Sequence, residues 1–505
     1  MPHLNRRQFL TLSAGAAGTV LLPRCAGNQA ATLASPNVIT SQAGLLNVSL
    51  MARQDRYRIG GQEGQVMSYN GQIPGTRLEA RPGDTVKIRF ENQLPQATNL
   101  HYHGLHIPST GNADNIFLSI PSNETLDYEF TISNNHPAGT FYYHPHLHGT
   151  VAEQIFAGLG GIFVVRGSLD EIPEIQAAQE EFLFLKDFSL DANGQIPTPG
   201  HMELMQGREG ATLTVNGQIN PSFSIPTGGL LRLRIVNASA ARFYRLSLED
   251  HPLYLIATDG GAITEPVELQ ELLLSPGERA EVLVKGDREP KQYRLLNLPY
   301  NRSGMGMMGE IGNMGSMGMM HSMNGMGRMG NASVTQSPQL LATLVYQDEV
   351  SPIPLPKQLI PVEALPEPTN TRRIELSMAM GTSGMGAGMS MGSGMGMQFL
   401  FNGKTFDMNR VDAAVKLGTV EDWELVNSDP DRMDHPFHLH VNSFQIISRN
   451  GQPDPYPAWK DTLIVRGNET VRIRIPFQDF AGRTVYHCHI LDHEDLGMMG
   501  LVEMS

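Results

Sequence analysis

The residues most able to do chemistry are histidines and one cysteine near the end of the chain. Cys488 lies between His487 and His489, and His493 follows shortly after. Side chains alternate between the two faces of a strand, so an extended segment directs Cys488 to one face and both flanking histidines to the other. The thiolate and the imidazoles would then serve two metal sites that the backbone joins. This arrangement predicts electron transfer between the two sites.

Three more histidine clusters occur in the chain. Together with the cysteine segment they make four, of which two lie near each end of the chain. Spacing by two residues places imidazoles on one face of a strand, where they can chelate a metal together. A single His-x-His pair is more often a surface or satisfied core feature, but four such clusters indicate metal binding. The three clusters are His101 and His103; His144, His146 and His148; and His435, His438 and His440.

The donor types favour copper over zinc. Structural zinc sites close with four ligands that usually include several cysteines. Here one thiol accompanies many imidazoles, and Cys25, the other cysteine, lies in an N-terminal segment that we expect to be removed. Two imidazoles, a thiolate and a weak axial thioether describe a blue-copper electron-transfer centre.

The four motifs, in this order, resemble those of the multicopper oxidases, a family that includes laccases and bacterial cuprous oxidases. The resemblance spans essentially the whole mature chain and implies four copper ions. It implies a type 2 copper on His101 and His438, with His148 as a neighbour rather than a ligand. It assigns the paired type 3 coppers to His103, His144, His146, His440, His487 and His489. It assigns the type 1 copper to His435, Cys488 and His493, with Met498 at the axial position.

Two carboxylates are candidates for delivering the protons that oxygen reduction consumes. Glu494 directly follows His493, and Asp114 lies eleven residues after His103. Asp114 resembles the acid that the family places near the type 2 copper. The alternative for each is a surface acid, or a partner that orients a histidine.

Composition predicts an all-β protein. A chain of 505 residues is too long to fold around a single hydrophobic core. Its 52 glycines and 33 prolines favour many short strands and turns. Segments such as 85–91, 231–236, 280–284 and 471–475 alternate apolar and polar residues, which predicts half-buried strands. Asn-Gly recurs at 70–71, 216–217 and 402–403, each before a strand.

These repeats predict three related units, and the resemblance implies cupredoxin-like Greek-key β-sandwiches. We expect domains at 36–168, 169–348 and 366–505, with a proline-rich linker at 349–365. The middle domain has no histidine pair, so the sequence predicts a spacer there. The histidine cluster must then form where the first and third domains meet.

The N-terminus predicts export. Residues 5–10, Asn-Arg-Arg-Gln-Phe-Leu, resemble a twin-arginine signal, and a short apolar stretch follows. We therefore expect residues 1–35 to be a signal peptide and the mature protein to be a periplasmic monomer without a membrane anchor. A net charge of −14 argues against nucleic acid as a partner and mildly favours cationic substrates.

Methionine is the second unusual feature, with 27 in the chain. Ten lie within residues 305–329 and seven within 378–397, separated mostly by glycine and serine. Such composition predicts loops rather than a core. Thioethers select Cu(I), which favours capture of cuprous ion, although an adaptable apolar surface is the simpler alternative.

Asp431 and Met433, just before His435, match positions at which bacterial cuprous oxidases bind substrate copper. The leading hypothesis is an oxidase that couples one-electron oxidation of Cu(I) to four-electron reduction of O2 to water, with phenols as laccase-type substrates. The rival is a laccase acting mainly on phenolic or other organic molecules, whose methionine-rich loops only shape access. A non-enzymatic copper store and a copper nitrite reductase are further alternatives, although the latter normally has fewer domains.

Overall fold

The computed structural model of the chain describes residues 34–302, 337–380 and 397–505. The twin-arginine segment, the methionines of 305–329 and the centre of 378–397 lie outside the described residues. Within them the regular structure is mostly strand with a few short helices, which confirms the all-β prediction. Six sheets form three pairs, and each pair draws its strands from one continuous stretch of chain.

The first pair of sheets encloses a core of its own. One sheet has the order β3-β2-β5-β7 and the other β1-β4-β9-β8-β6. In β5 the residues Val86, Ile88 and Phe90 are buried and the lysine and arginine between them are exposed, as the alternation predicts. The elements are β1 (Val38–Thr40), β2 (Leu45–Ile59), β3 (Gln62–Tyr69), β4 (Gly75–Ala80), β5 (Thr85–Asn92), β6 (His101–His103), β7 (Thr125–Thr131), β8 (Gly139–His144), α1 (Val151–Phe156) and β9 (Gly161–Val165).

The middle pair has sheet orders β11-β10-β13-β18-β15-β16 and β12-β20-β19-β14-β17. A 3-10 turn (Ser168–Glu171) precedes it. Its elements are α2 (Pro173–Gln176), β10 (Gln179–Phe188), α3 (His201–Gln206), β11 (Thr212–Val215), β12 (Ser222–Thr227), β13 (Leu230–Asn237), β14 (Tyr244–Leu248), β15 (Leu253–Thr258), β16 (Gly261–Leu269), β17 (Leu272–Leu274), β18 (Arg279–Lys285), β19 (Gln292–Leu298) and β20 (Gln339–Glu349).

Strand β13 departs from the expected half-buried pattern. All of its residues are buried, including Arg232 and Arg234. Both arginines pair with Glu281 of β18, and Arg234 also donates to the Thr140 hydroxyl of β8 at 3.0 Å. The second face of β13 therefore packs against the first pair of sheets, and ion pairing satisfies charges that alternation alone assigned to solvent.

The third pair has sheet orders β22-β21-β24-β30-β26-β27, with β28 beside β26, and β23-β32-β31-β25-β29. Its elements are β21 (Asn370–Met380), β22 (Met397–Phe401), β23 (Ala413–Val415), β24 (Thr419–Asn427), β25 (His435–Leu439), β26 (Phe444–Arg449), β27 (Gln452–Pro453), β28 (Trp459–Lys460), β29 (Thr462–Val465), β30 (Thr470–Phe477), β31 (Gly482–Cys488), α4 (Leu491–Asp495) and β32 (Met499–Met504).

The second methionine-rich segment begins and ends in strands, which corrects the expectation of a loop at its ends. β21 pairs with β22 in an antiparallel register that sets Met380 opposite Met397. Met378 is 5% exposed and packs in the same core as Cys488. Met378 and Met397 therefore pack with a core rather than in a loop.

The proline-rich stretch from 350 to 369 has no helix or strand, in keeping with the expected linker. The domain boundaries themselves stay predictions. Across the three described ranges, none of the helices has the length and apolar character needed to cross a bilayer.

Candidate metal centres

Two strand pairs, one from each end of the chain, position the histidines. In the first pair of sheets β6 runs antiparallel to β8, which sets His101 opposite His144. In the third pair β25 runs antiparallel to β31, which sets His438 opposite His487. Alternation on β6 sends Tyr102 into the core and leaves His101 and His103 on the opposite face. Each sequence motif therefore begins on a strand, and His146, His440 and His489 lie in the residues that follow those strands.

The structure brings eight histidines from these strands and their extensions into one buried cluster. His101 stacks on His440 with ring centroids 3.9 Å apart, and His103 stacks on His438 at 3.8 Å. Each stack joins a residue of the first sandwich to one of the third, so the cluster lies between them. The eight are His101, His103, His144, His146, His438, His440, His487 and His489, and each is at most 1% exposed.

The inward-facing nitrogens fit metal ions. The Nε2 atoms of His146 and His440 each lie 3.1 Å from Nε2 of His487, so three lone-pair positions converge. Nε2 of His101 and of His438 have no hydrogen-bond partner within the described residues although both are buried. Buried polar atoms without partners are rare, and a bound cation satisfies them.

Outer hydrogen bonds fix which nitrogen faces inward. Asp114 accepts from Nδ1 of His101 at 2.8 Å, and the carbonyl of Asp461 accepts from Nδ1 of His438 at 2.9 Å. Each bond leaves Nε2 of that ring with a free lone pair, as is usual for metal-bound histidines.

Burial keeps these imidazoles neutral. Desolvation lowers the pKa of His146 and of His487 to about 4. It also lowers the pKa of His101 well below the ordinary histidine value, and neighbouring imidazoles add to the effect. At neutral pH the rings therefore present lone pairs rather than charge, which suits metal ligation.

Cys488 forms a separate group with two other histidines. Its Sγ lies 3.5 Å from Nδ1 of His435 and 3.8 Å from Nδ1 of His493, and all three residues are fully buried. The main-chain N–H of Cys488 donates to the carbonyl of Met498, which is also fully buried. The donor set of one thiol and two Nδ1 atoms, with a thioether residue beside it, fits copper.

The outer nitrogens of both histidines are covered by protein. Nε2 of His435 donates to Asp429 at 2.9 Å, and Nε2 of His493 donates to the carbonyl of Met205 on α3 at 3.1 Å. The ring of His493 also stacks on Phe399 at 3.9 Å. Within the described residues, neither imidazole edge is open to solvent.

Alternation along the end of β31 separates the two groups. Cys488 contributes its sulfur to one group, while the rings of its neighbours His487 and His489 both belong to the other, 5.4 Å apart. A path of main-chain bonds therefore connects the thiol group to the histidine cluster, as the sequence predicts.

Both predicted acids border the histidine cluster. Asp114 binds His101 and also accepts from the main-chain N–H of Tyr102 at 2.9 Å, while its second oxygen has no partner among the described residues. Oε2 of Glu494 lies 3.0 Å from Nδ1 of His487 without hydrogen-bond geometry, and its Oε1 lies 3.5 Å from Nε2 of His146. Burial raises the pKa of Asp114 to about 8 and that of Glu494 to about 7.

The remaining predicted positions differ in how far they are exposed to solvent. Asp431 reaches the surface, whereas Met433 is 4% exposed and packs with the core around Cys488. The carboxylate on His435 comes from Asp429, which the sequence analysis did not single out, and it also accepts from the main-chain N–H of Asp431 at 2.8 Å. His148 is exposed against Phe406, outside the cluster, as expected.

The middle sandwich contacts both groups, so its description as a spacer is incomplete. Its helix α3 covers His493 through Met205, and Gly277 lies directly on the cluster. A Cβ atom on Gly277 would lie 2.9 Å from the ring of His489 and 3.0 Å from that of His103. Asp461 and Arg279, which the sequence also did not single out, lie next to His103. These residues carry no local motif, because long-range packing alone brings them here.

Comparison with known sequences identifies the family. Sequence profiles described as "Multicopper oxidase" match residues 51–170, 182–308 and 382–505. The chain belongs to the multicopper oxidase family. This confirms the resemblance and, with the six sheets, the three cupredoxin-like sandwiches.

Solved structures agree with this assignment. A multicopper oxidase from Campylobacter jejuni, titled a metallo-oxidase, superposes with a TM-score of 0.79 at 33% identity, over 94% of this chain and 95% of that one. A laccase-like multicopper oxidase, CueO, from Ochrobactrum sp. superposes at 0.75 with 28% identity, over 94% and 100%. Its title reports oxidase activity towards lignin model compounds and lignosulfonate.

A curated relative carries a different name. "Cell division protein FtsP" of Photorhabdus laumondii is 28% identical over 98% of both chains. Membership of the family therefore indicates an oxidoreductase without fixing the type of reaction or the substrate of this chain.

Proposed function

We propose that this protein is a copper-dependent oxidase that takes electrons from a reducing substrate at the Cys488 group and reduces O2 to water at the histidine cluster. The observation that carries the proposal is the alternation at the end of β31, where Cys488 lies between two residues of the cluster. A copper store has no need of a covalent connection between two different sites.

The residues proposed to hold copper are those the family resemblance implies. His101 and His438 would hold one type 2 ion, His435, Cys488 and His493 would hold the type 1 ion with Met498 nearby, and the other six cluster histidines would hold a type 3 pair. Four such ions would supply one-electron oxidation at the thiol group and multi-electron reduction of O2 at the cluster.

Asp114 and Glu494 are proposed to deliver the protons. Both are buried, both border cluster histidines, and their pKa values lie near neutrality because burial disfavours the carboxylate. A cavity of about 480 Å³ is lined by Asp495, the residue after Glu494, and by Glu153 and Arg208. Solvent in that cavity would bring protons to within one residue of Glu494.

Cuprous ion is the proposed substrate. Both imidazole edges of the Cys488 group are covered, so an organic ring has no direct contact with them among the described residues. Asp429 instead presents a carboxylate to His435, and Asp431 and Asp434 lie in the same loop. This acidic loop, and the net charge of −14, favour a cation. The use of Asp431 and Met433 to hold substrate copper stays part of the proposal.

Phenol oxidation is the second candidate, because the Ochrobactrum relative is described as having oxidase activity towards lignin model compounds and lignosulfonate. A role without catalysis is the third, because the FtsP relatives match along nearly the whole chain. Every ligand position that the family pattern requires is filled here and buried, which argues against loss of the metals. Export to the periplasm by a twin-arginine signal stays a proposal from residues 5–10.

Oxygen uptake by the copper-loaded protein tests the proposal, with Cu(I) and a phenol as alternative donors. Cys488→Ser should abolish the intense visible absorption and oxygen uptake with both donors while leaving the fold intact. The matched control is His148→Gln, an exposed histidine outside the cluster, which should keep both. Oxygen uptake that survives Cys488→Ser would refute the proposal.

A further inference from the structure

We propose that Arg279 of the middle sandwich, acting through Asp461, is a positioning residue for His103 and so completes the histidine cluster. The inference rests on the proposed copper binding, and it assigns the middle sandwich a part in the metal centre. The carrying observation is an unbroken buried chain of contacts from Arg279 to Asp461 to His103, which joins all three sandwiches.

The guanidinium of Arg279 has a full set of partners. Nη1 donates to Oδ1 of Asp461 at 2.7 Å and to the carbonyl of Gly277 at 3.0 Å. Nη2 donates to Oδ2 of Asp461 and to the carbonyl of Asp259 at 2.9 Å, and Nε donates to the carbonyl of Thr140 at 3.2 Å. An arginine has five N–H donors, and all five are used here. The plane of the guanidinium is therefore fixed.

This fixed plane holds the carboxylate of Asp461 in one orientation. A bidentate pair with arginine leaves the carboxylate no rotational freedom. Its Oδ1 also accepts from the hydroxyl of Thr462 at 2.9 Å and lies 3.0 Å from Nε2 of His103. The main-chain carbonyl of Asp461 accepts from His438, so the same residue orients two cluster histidines.

The orientation of Asp461 decides which nitrogen His103 presents. The carboxylate accepts hydrogen bonds, so Nε2 of His103 carries the proton and Nδ1 keeps the lone pair. That Nδ1 lies 3.4 Å from Nε2 of His144, inside the cluster. His101 and His438 have the opposite arrangement, with Nδ1 bound to protein and Nε2 inward. Without the Arg279–Asp461 pair, the hydroxyl of Thr462, 3.1 Å from Nε2 of His103, would remain beside that nitrogen in place of a fixed carboxylate.

The residue after His103 leaves room for the pair. Gly104 has φ +85°, and a Cβ there would lie 2.3 Å from Nη2 of Arg279 and 2.5 Å from Oδ2 of Asp461. No side chain fits between His103 and the pair without displacing it. Lysine cannot replace Arg279, because it has one ammonium in place of a planar fork.

Copper retention by Arg279→Lys tests the inference, with Arg234→Lys as the matched control. Both arginines are completely buried and both contact Thr140, but Arg234 pairs with Glu180, Asp170 and Glu281, away from the cluster. Each protein is loaded with cupric ion and then challenged with a chelator. The readouts are copper retained per chain, EPR-detectable Cu(II), and the visible absorption of the Cys488 group.

We expect Arg279→Lys to lose copper from the cluster with an affinity roughly 10- to 100-fold lower, as for other partners of metal-bound histidines. The visible absorption should keep its wild-type intensity, and Arg234→Lys should retain copper as the wild type does. Wild-type retention by Arg279→Lys, or equal loss by Arg234→Lys, would overturn the inference.

If Arg279→Lys is not recovered as folded protein, Thr462→Val is the second variant for the same copper-retention measurement. That change removes a hydroxyl 3.1 Å from Nε2 of His103 while keeping the shape of the side chain. A smaller loss of cluster copper is expected, and wild-type retention would overturn the inference. A wild-type protein without the visible absorption would refute the proposed function, and this inference with it.

Discussion

His106 of the first sandwich donates a hydrogen bond from Nδ1 to the carbonyl of Val441 in the third, at 2.8 Å. Val441 directly follows the cluster residue His440 and has φ +67°, a conformation that β-branched residues rarely adopt. The N–H of Asn442 donates to the carbonyl of His440 at 2.7 Å, which closes a tight three-residue turn. His106 therefore holds a strained turn next to a proposed copper ligand.

The strain at Val441 predicts that a glycine variant is more stable than an alanine variant, which is the reverse of the usual order. Val441→Ala and Val441→Gly both remove the two buried γ-methyl groups, so they differ only by Cβ and by the backbone freedom that its loss brings. The positive φ costs alanine about 1–2 kcal/mol, and glycine loses about 0.5–1 kcal/mol through chain entropy. The free energy of unfolding of the glycine variant should therefore be about 0.5–1 kcal/mol higher than that of the alanine variant.

Denaturant unfolding of the two metal-free variants measures this difference. The same pair of substitutions at Val485, which is buried in the extended strand β31, serves as control. There the alanine variant should be the more stable one, as is usual. The same order at both positions would contradict strain at Val441.

Acid should destabilise the metal-free protein through its buried histidines. The pKa of His146 and of His487 in the fold is about 4, below the unfolded value near 6.5, so the unfolded state binds more protons. Stability is therefore intact above about pH 6.5 and falls as the pH drops toward 4, by up to about 1.4 kcal/mol per pH unit for each such histidine.

Thermal unfolding between pH 8 and pH 4 checks this expectation. The melting temperature of the metal-free protein should fall steeply below pH 6.5, because the eight buried cluster histidines outnumber Asp114 and Glu494, whose raised pKa values have the opposite effect. Bound copper would keep the rings neutral, so the copper-loaded protein should resist acid until the metal is released. Equal acid sensitivity of both forms would contradict a cluster of metal-binding histidines.

The histidine motifs were predictable from the sequence because a period of two fixes both the face and the spacing of side chains on a strand. The Asn-Gly repeats were equally informative. Each forms a two-residue turn with positive φ at both positions, at Asn70 and Gly71, Asn216 and Gly217, and Asn402 and Gly403. Turns of that kind join strands with their natural twist.

Asp429, Arg279 and the burial of β13 were not predictable in the same way. Asp429 is one of three aspartates between 429 and 434, and the left-handed backbone at Arg432 helps decide which of them meets His435. Arg279 lies 182 positions from Asp461, and only the packing of two sandwiches brings them together. Alternation predicted a solvent face for β13 because it carries no information about a neighbouring sandwich.

Removing the carboxylate of Asp429 should slow oxidation of Cu(I) more than oxidation of a phenol. Asp429→Asn keeps the size of the side chain but loses the charge beside His435 that we propose attracts the cation. We expect a roughly 10-fold loss of kcat/KM for Cu(I). Asp431→Asn, at the position in the same loop proposed to hold substrate copper, is the matched variant and should also lower kcat/KM for Cu(I). Wild-type kcat/KM for Cu(I) in both variants would contradict attraction of the cation by this loop.

Deletion of residues 305–329 separates the two candidate substrates. This segment lies outside the described residues, and its ten methionines are proposed to capture cuprous ion. The deletion should weaken oxidation of Cu(I), mainly as a higher KM, because fewer soft ligands would gather the ion near the Cys488 group. Phenol oxidation should persist or improve, since no thioether is needed for it. Oxygen uptake with each donor measures the two oxidation rates. A parallel fall in both rates, with wild-type visible absorption, would contradict a role of the methionines in copper capture.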